Sequence, residues 1–217
     1  MTGATLSTRL EACYTGAVYD VMRDRGHRQC VLPNRIRPID EGLKLAGPAW
    51  TTSGRFDETA SDDDTFMAWT GVLSAAPDGS VIVCQPNDSS LAHMGELSAE
   101  ALKSRNVRGY VVDGGCRDVD FIRRLQWPVF CRYFTPVDVV GRWLAEGLGE
   151  PIVIGDVAIA TGDYILGDVD GVVVIPAELT EEVISRTEAI INTESELRRE
   201  ILDGMDTQEA YKKYRLF

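Results

Sequence analysis

The spacing of apolar positions predicts helices and strands in the first third of the chain. Residues 6–25 carry apolar side chains at helical spacing and are followed by Gly26, which predicts an N-terminal helix with a glycine stop. Residues 43–50 predict a strand with a Gly-Pro interruption. The acidic stretch 53–64 that follows is interpreted as a solvated loop capping a short helix from about 65 to 73, with a metal site as the alternative.

From residue 79 the pattern alternates between strands and helices. Strands are predicted at 80–84, 109–112 and 129–132, and helices at 97–105 and 119–125. This alternation is typical of an α/β unit, in which ligands bind at the carboxyl ends of the strands. Residues 86–88 and 114–118 are expected at that edge.

The last third of the sequence is first β-rich and then helical. Short apolar strands are predicted at 151–155, 157–159 and 171–176, separated by Gly-Asp turns, and a charged helix at 178–202 ends at Gly204. The sequence contains no repeat and no linker. We therefore expect one domain over 1–217, with a layered α/β fold and a C-terminal helix.

Residues 109–118, GYVVDGGCRD, run an apolar strand into a double-glycine turn that ends in an Arg-Asp pair. Gly114 and Gly115 allow a tight turn or the close approach of a ligand. The Asp118 carboxylate can hold a hard cation, and the Arg117 guanidinium can pair with a substrate carboxylate. A turn with an ordinary surface arginine and an aspartate that caps a helix explains the same residues, so both interpretations stay open here.

Composition and charge exclude several classes of protein. With 44% hydrophobic and 26% charged residues the chain resembles a globular protein, and its five cysteines form no CxxC pair. A formal net charge of -12 disfavours binding to nucleic acid, so no nucleic-acid partner is expected. No run reaches membrane-spanning length and the first residues lack a secretory pattern, so we expect no membrane partner and a cytoplasmic location.

Few residues are available for other kinds of catalysis. His27 and His93 are the only histidines and only four residues are lysines, which leaves little for a histidine metal site, a catalytic triad or a Schiff base. Glycine-rich nucleotide loops and the GxSxG elbow are absent. Gly95 and the amides after it would open a helix able to bind an anion, whereas Glu96 is explained equally by the helix dipole or by catalysis.

Four segments in this order resemble the 4-hydroxy-4-methyl-2-oxoglutarate aldolase family, which also contains the regulators of RNase E activity A. They are GELS at 95–98, GYVVDGGCRD at 109–118, WPVFCR at 127–132 and IATGDYILGDVDGVVVIP at 159–176. The resemblance runs from the helix containing Asp20 to the C-terminal helix. It implies a swivelling β/β/α-type domain in a homotrimer or homohexamer with active sites between subunits, and a Mg²⁺- or Mn²⁺-dependent aldolase for 4-hydroxy-2-oxo acids with oxaloacetate decarboxylation as a side activity.

The resemblance also assigns roles to residues. Asp118 matches the metal ligand, and Arg117 matches the residue that binds the pyruvyl group and stabilises its enolate. Gly95, Glu96 and Leu97 match the segment whose amides hold the substrate carboxylate, with Glu96 in the acidic position that orients a metal-bound water. An acidic residue that reaches the metal of a neighbouring subunit matches Glu196 best, with Glu194 as the alternative.

The sequence departs from the family pattern in two places. IATGD at 159–163 replaces the usual Val-x-Pro-Gly-Asp. The stretches RYFTP at 132–136 and GRWL at 141–144 match only loosely, and groups that contact the substrate are expected there. The substrate therefore stays open between 4-hydroxy-4-methyl-2-oxoglutarate, 4-carboxy-4-hydroxy-2-oxoadipate and related acids. A non-catalytic regulator of RNase E activity and a dedicated decarboxylase of a related oxo acid are the alternative functions.

Overall fold

The structure, a computed structural model, describes residues 3–215. The helices are α1 (Gly3–Glu11), α2 (Thr15–Asp24), α3 (Asp62–Ala75), α4 (Glu96–Ser104), α5 (Val119–Leu125), α6 (Thr180–Leu202) and α7 (Thr207–Tyr214), and a 3-10 turn at Ala177–Leu179 precedes α6. The strands are β1 (Arg37–Pro38), β2 (Leu45–Phe56), β3 (Val81–Gln85), β4 (Gly109–Val112), β5 (Gly115–Cys116), β6 (Val129–Cys131), β7 (Tyr133–Phe134), β8 (Trp143–Glu146), β9 (Ile152–Ile154), β10 (Val157–Ile159), β11 (Tyr164–Asp168) and β12 (Gly171–Ile175).

Eight strands form one mixed sheet that curls almost into a barrel. Its order is β1-β6-β4-β3-β2-β11-β12, with β8 paired to the far end of β2. Strands β2, β3, β4 and β6 are parallel, whereas β1, β8, β11 and β12 pair in antiparallel fashion. Backbone hydrogen bonds join β12 to Cys30 and Leu32, just before β1, which nearly closes the sheet. The predicted layered α/β fold with a C-terminal helix is confirmed.

The two-residue period of the strands separates two cores. Val81, Val83 and Val111 point into the barrel interior. Their neighbours Ile82 and Tyr110 point the other way, into the layer that α3, α4 and α5 cover. A third core, which includes Leu166 and Ile175 on the sheet, lies under α1, α2 and α6. The helices α3 to α5 and the carboxyl ends of β3 and β4 thus meet on one side of the sheet.

The single helix predicted over 6–25 is wrong in one respect, because the structure has two helices there. Tyr14 is extended, at φ −130° and ψ 154°, and Thr15 begins α2. The Asp168 carboxylate, at the turn between β11 and β12, accepts hydrogen bonds from the backbone N–H of Thr15 at 2.8 Å and from its hydroxyl at 2.7 Å. A residue 153 positions away therefore starts the second helix, which local periodicity could not indicate.

Other boundaries differ for similar reasons. The strand predicted at 43–50 continues to Phe56, and Pro48 does not interrupt it, because pairing with β3 begins only at Ala49. The helix predicted from about residue 65 begins at Asp62, after Ser61 and Asp64 form a reciprocal capping box. Strands β1, β5, β7, β8 and β11 and helix α7 were not predicted. None of the helices within residues 3–215 is long and apolar enough to cross a membrane.

Candidate functional site

Two loops that follow neighbouring parallel strands form the site. The loop after β3 and the turn after β4 are joined by a bridge between Ala92 and Gly115. The backbone N–H of Arg117 donates to the Met94 carbonyl at 2.9 Å. These bonds place the beginning of α4, at Gly95, beside the Arg117–Asp118 pair, so two segments that are separate in the sequence share one edge of the sheet.

Asp118 stands at the start of α5 but does not cap it. Its backbone is left-handed, at φ 55° and ψ 34°, a conformation that is costly for a residue other than glycine, and its side chain makes no capping hydrogen bond to α5. Oδ2 instead accepts the backbone N–H of Glu96 at 3.1 Å and lies 3.5 Å from Nε of Arg117. The carboxylate is therefore turned toward the first turn of α4, away from the helix that a conventional N-cap would serve.

Because Gly95 has no side chain, the Asp118 carboxylate can lie directly against its backbone. A Cβ atom built on Gly95 would lie 2.8 Å from Oδ2 of Asp118 and 3.2 Å from Nε of Arg117. Gly95 is also the N-cap of α4 without a side-chain cap, so the amides of the first turn face the pair. Free amides at a helix start and a guanidinium bind anions, whereas a carboxylate binds cations, so the site offers groups for both charges.

Arg117 lies between two carboxylates. Its Nη1 donates to Oδ2 of Asp138 at 3.1 Å, and its Nε faces Asp118. The side chains of Arg117 and Asp138 are 40% and 38% exposed, so water competes for this ion pair and an incoming carboxylate can displace it. Asp138 lies between the two stretches that match the family only loosely, and it was not predicted as a site residue.

A pocket of about 380 Å³ opens beside the pair, and apolar groups form its far wall. The wall comprises Phe66, Trp69 and Leu73 on α3 together with Val139 and Val140. Thr65 and Thr70 of α3, residues 92–98, Arg117, Asp118 and Asp138 complete the lining. The volume lies within the range of small-molecule binding sites.

Trp69 is fixed in this wall by three contacts. Its indole N–H donates to Oγ of Ser98 at 2.8 Å, and its ring meets Tyr110 and Trp143 edge to face, with centroids 6.5 Å and 6.2 Å apart. The indole therefore offers a pre-ordered aromatic surface to a ligand. No local sequence signal identified it, because Trp69 reaches the site only through the packing of α3 on the sheet.

His93 lies beneath the site as a buried, neutral side chain. Burial lowers the pKa of its imidazole to about 4, although the nearby Asp88 carboxylate acts to raise it. Nε2 lies 3.5 Å from Oδ2 of Asp88, and neither ring nitrogen has a hydrogen-bond partner within residues 3–215. The ring packs against Trp143 and closely approaches Gly114, and its backbone carbonyl accepts the Tyr110 hydroxyl.

The donor set at the site suits a hard divalent cation better than a soft one. Carboxylate oxygens such as those of Asp118 are the ligands that Mg²⁺ and Mn²⁺ prefer, and Mg²⁺ commonly takes only one or two of them from a protein. No group of three or more His, Cys, Asp or Glu side chains within the described ranges could hold a metal ion. Among the described residues, Asp118 is thus a single carboxylate of the kind that could hold such an ion at this site.

Leu97 and the two acidic residues of the C-terminal helix have different surroundings. Leu97, next to Glu96, is 79% exposed at the rim of the pocket. Glu194 accepts the hydroxyl of Tyr14 in the same chain, whereas the exposed Glu196 has no hydrogen bond or ion pair to any residue in 3–215. The structure therefore brings together Gly95, Glu96, Arg117 and Asp118, and within residues 3–215 no hydrogen bond or ion pair joins Glu196 to them.

Comparisons with known proteins identify the family of the chain. The chain belongs to the RraA-like family, described as Aldolase/RraA, whose pattern matches residues 15–174, more than half of the chain. The "Putative 4-hydroxy-4-methyl-2-oxoglutarate aldolase" of Halalkalibacterium halodurans is 29% identical, over 83% of this chain and 82% of the relative. Protein DlpA of Legionella pneumophila is 31% identical over 82% of this chain, which spans only 29% of that protein's length.

Solved structures share the fold. A crystal structure described as one of novel cellulases from gut-associated microbes is 34% identical with a TM-score of 0.84, covering 90% of this chain and 88% of that one. RraAS2 of Streptomyces coelicolor, described as an unusual member of the RNase ES inhibitor RraA family, has a TM-score of 0.83 at 24% identity, covering 92% of this chain and 100% of that one. The predicted family is confirmed, and within it some relatives carry the name of an aldolase and others that of an RNase inhibitor.

Proposed function

We propose that this protein is a divalent-metal-dependent lyase that cleaves a 4-hydroxy-2-oxo acid to pyruvate and a second carbonyl compound, and that it decarboxylates oxaloacetate as a side activity. The observation that carries the proposal is the turned Asp118 carboxylate, which accepts the Glu96 amide instead of capping its own helix and lies beside Arg117. This is a carboxylate kept available next to an anion-binding guanidinium, at the carboxyl ends of parallel strands.

The chain's own residues can bind and orient the substrate. The amides of Gly95 and Leu97, at the beginning of α4, would favour the substrate carboxylate through hydrogen bonds and the helix dipole. The Glu96 amide would join them by exchanging its bond to Oδ2 of Asp118 for one to the substrate. Arg117 would exchange part of its pairing with Asp138 for the 2-oxo acid. Asp118 would hold the Mg²⁺ or Mn²⁺ ion, which supplies Lewis-acid polarisation of the 2-oxo group.

Cleavage breaks the bond between C3 and C4. A base removes the proton of the 4-hydroxyl, C4 becomes the carbonyl of the leaving product, and the electron pair of the broken bond forms an enolate of pyruvate. The Arg117 guanidinium would stabilise that negative charge. Glu96, at the rim of the pocket, assists delivery of a proton to C3, which completes pyruvate. Decarboxylation of oxaloacetate leaves the same enolate.

The test couples pyruvate release to lactate dehydrogenase, with 4-hydroxy-4-methyl-2-oxoglutarate, 4-carboxy-4-hydroxy-2-oxoadipate and oxaloacetate as substrates and with Mg²⁺ or Mn²⁺ present. We expect turnover that a chelator abolishes and added metal restores. Asp118→Asn should reduce kcat/KM by about 100-fold or more, because it removes the negative charge that holds the cation. Asp120→Asn is the matched control, since Asp120 lies on the same turn and its side chain is 83% exposed.

Two results would overturn the proposal. Turnover that survives complete removal of metal contradicts metal dependence, and Asp118→Asn with unchanged kcat/KM contradicts the role of this carboxylate. Absence of cleavage of every 4-hydroxy-2-oxo acid, together with binding to an RNase, would favour the non-catalytic regulator. Cleavage of oxaloacetate alone would favour the dedicated decarboxylase.

A further inference from the structure

The far wall of the pocket is both apolar and short of positive charge. Among the pocket-lining residues of the described chain, Arg117 is the single cation, and it already lies between Asp118 and Asp138. Glu96 adds a third carboxylate at the rim. A second carboxylate on the substrate would therefore enter a region with no unpaired cation and would be repelled by the acidic groups that are present.

The same wall suits an apolar group well. Trp69 presents a fixed indole face, held by its hydrogen bond to Ser98, and Leu73, Val139 and Val140 lie around the same cavity. Phe66, which is 53% exposed, stands at the opening. An aromatic or branched aliphatic group placed there would lose contact with water on several sides and could pack edge to face or stacked against Trp69.

We propose that the substrate of this site carries a single carboxylate, at its 2-oxo acid end, and an apolar, preferably aromatic, group on C4 that occupies the wall formed by Phe66, Trp69, Leu73, Val139 and Val140. This rests on the proposed lyase function and narrows its substrate class. The second product is then an apolar aldehyde or ketone, whereas a substrate with a second carboxylate would give an oxo acid. The enzyme that consumes this product must accordingly act on an aryl or alkyl aldehyde or ketone.

Binding of uncleavable ligands tests this without relying on turnover. We would titrate the full chain, with Mn²⁺ present, with 2-oxo-4-phenylbutanoate and with 2-oxoglutarate, and measure heat or quenching of tryptophan fluorescence. Both ligands lack the 4-hydroxyl group and cannot undergo the cleavage. The phenyl compound should bind roughly tenfold or more tightly, as expected when an aromatic ring is buried in an apolar site. Equal affinity, or tighter binding of 2-oxoglutarate, overturns the proposal.

A pair of variants on α3 tests whether the apolar wall causes the preference for the phenyl ligand over 2-oxoglutarate. Thr70 is exposed and lines the pocket, so Thr70→Arg adds a cation to the wall and should shift the affinity ratio toward 2-oxoglutarate by roughly tenfold. Met67→Arg adds the same charge to the same helix outside the pocket lining, where the native side chain is 67% exposed, and should leave the ratio unchanged. Equal shifts of the affinity ratio in both variants, at unchanged oligomer size, would contradict the assignment of this wall as the site of the apolar group.

Activity then separates this proposal from the lyase function itself. Release of pyruvate from 4-hydroxy-2-oxo-4-phenylbutanoate should exceed that from 4-hydroxy-4-methyl-2-oxoglutarate in kcat/KM by about tenfold. Preferential binding of the phenyl ligand without any cleavage would support the apolar wall as a binding site and contradict the lyase reaction. Faster cleavage of 4-hydroxy-4-methyl-2-oxoglutarate than of the phenyl compound would support the lyase reaction and contradict the apolar substrate class.

Discussion

At the scale of single residues, the site depends on one position that has no side chain. Gly95→Ala should displace the Asp118 carboxylate and the Arg117 guanidinium, because the new Cβ would lie 2.8 Å and 3.2 Å from them. We expect a reduction of kcat/KM for pyruvate release by about 10- to 100-fold with little change in melting temperature.

Gly71→Ala provides the matched control. Gly71 lies within α3, and a Cβ there meets nothing within 4 Å. Alanine in a helix interior should stabilise the fold by about 0.5–1 kcal/mol and leave activity unchanged. An active Gly95→Ala variant, measured beside this control, would show that the close approach at Gly95 has no catalytic importance.

The buried His93 makes stability depend on pH in a defined window. Burial lowers the pKa of its imidazole from 6.5 to about 4 in the folded protein, so the unfolded chain binds this proton first as the pH falls. The contribution of neutral His93 to stability is therefore complete above pH 6.5 and decreases between about pH 6.5 and pH 4. The total loss is on the order of 3 kcal/mol, or up to about 1.4 kcal/mol per pH unit.

Chemical denaturation at several pH values checks this expectation. The free energy of unfolding should fall more steeply from pH 6.5 to pH 4 in the unaltered protein than in His93→Gln, which cannot titrate. His27→Gln removes the exposed histidine and should keep the steep slope. Parallel curves for the unaltered protein and His93→Gln would mean that His93 is not held neutral by burial.

At the scale of secondary-structure elements, one carboxylate connects the sheet to the N-terminal helices. Asp168 is only 6% exposed, and besides its two bonds to Thr15 it accepts the backbone N–H of Asp170 at 3.0 Å. Asp168→Ala should leave the start of α2 without its partner and lower the free energy of unfolding by about 2 kcal/mol. Asp170→Ala, at an exposed neighbouring position, should change it by less than about 0.5 kcal/mol. Equal losses in the two variants would show that Asp168 does not hold the start of α2.

The elements that could be predicted are those with a complete local signal. The strand at 109–112, the double-glycine turn and the helix after Gly95 were predicted within one or two residues, because apolar runs, glycines and helix starts act over a few neighbours. The polar end of β2, at 53–56, is a strand because β8 pairs with it, and Asp168 starts α2 from across the fold. Such effects depend on partners far along the chain.

The candidate site follows the same division. Arg117, Asp118 and the start of α4 could be predicted because each stands directly after a strand signal or at a helix start. Asp138 and Trp69 could not, since one lies in a loop without a distinctive pattern and the other reaches the pocket through the packing of α3. The inner edge of the site is thus encoded locally, whereas the wall that would select the substrate is formed by tertiary structure.

At the scale of the whole molecule, exposed apolar side chains surround the polar site. Phe66 and Leu97 border the pocket at 53% and 79% exposure, and Phe134, 55% exposed, lies with Pro136 on the other side of Arg117 and Asp118. Exposed apolar residues around a polar site favour a protein interface. We propose a homotrimer or homohexamer in which a neighbouring chain contributes Glu196.

Mixing two inactive variants tests that contribution directly. In a cyclic assembly each site would combine Asp118 of one chain with Glu196 of its neighbour. Asp118→Asn and Glu196→Gln should each lower pyruvate release, and oligomers formed by co-expression of the two should recover it in about a quarter of the sites, where both native residues meet. Glu194→Gln replaces Glu196→Gln as the control, because Glu194 already binds Tyr14 of its own chain. Without recovery in the mixed oligomers, or with a monomer by light scattering, Glu196 would have no role across an interface.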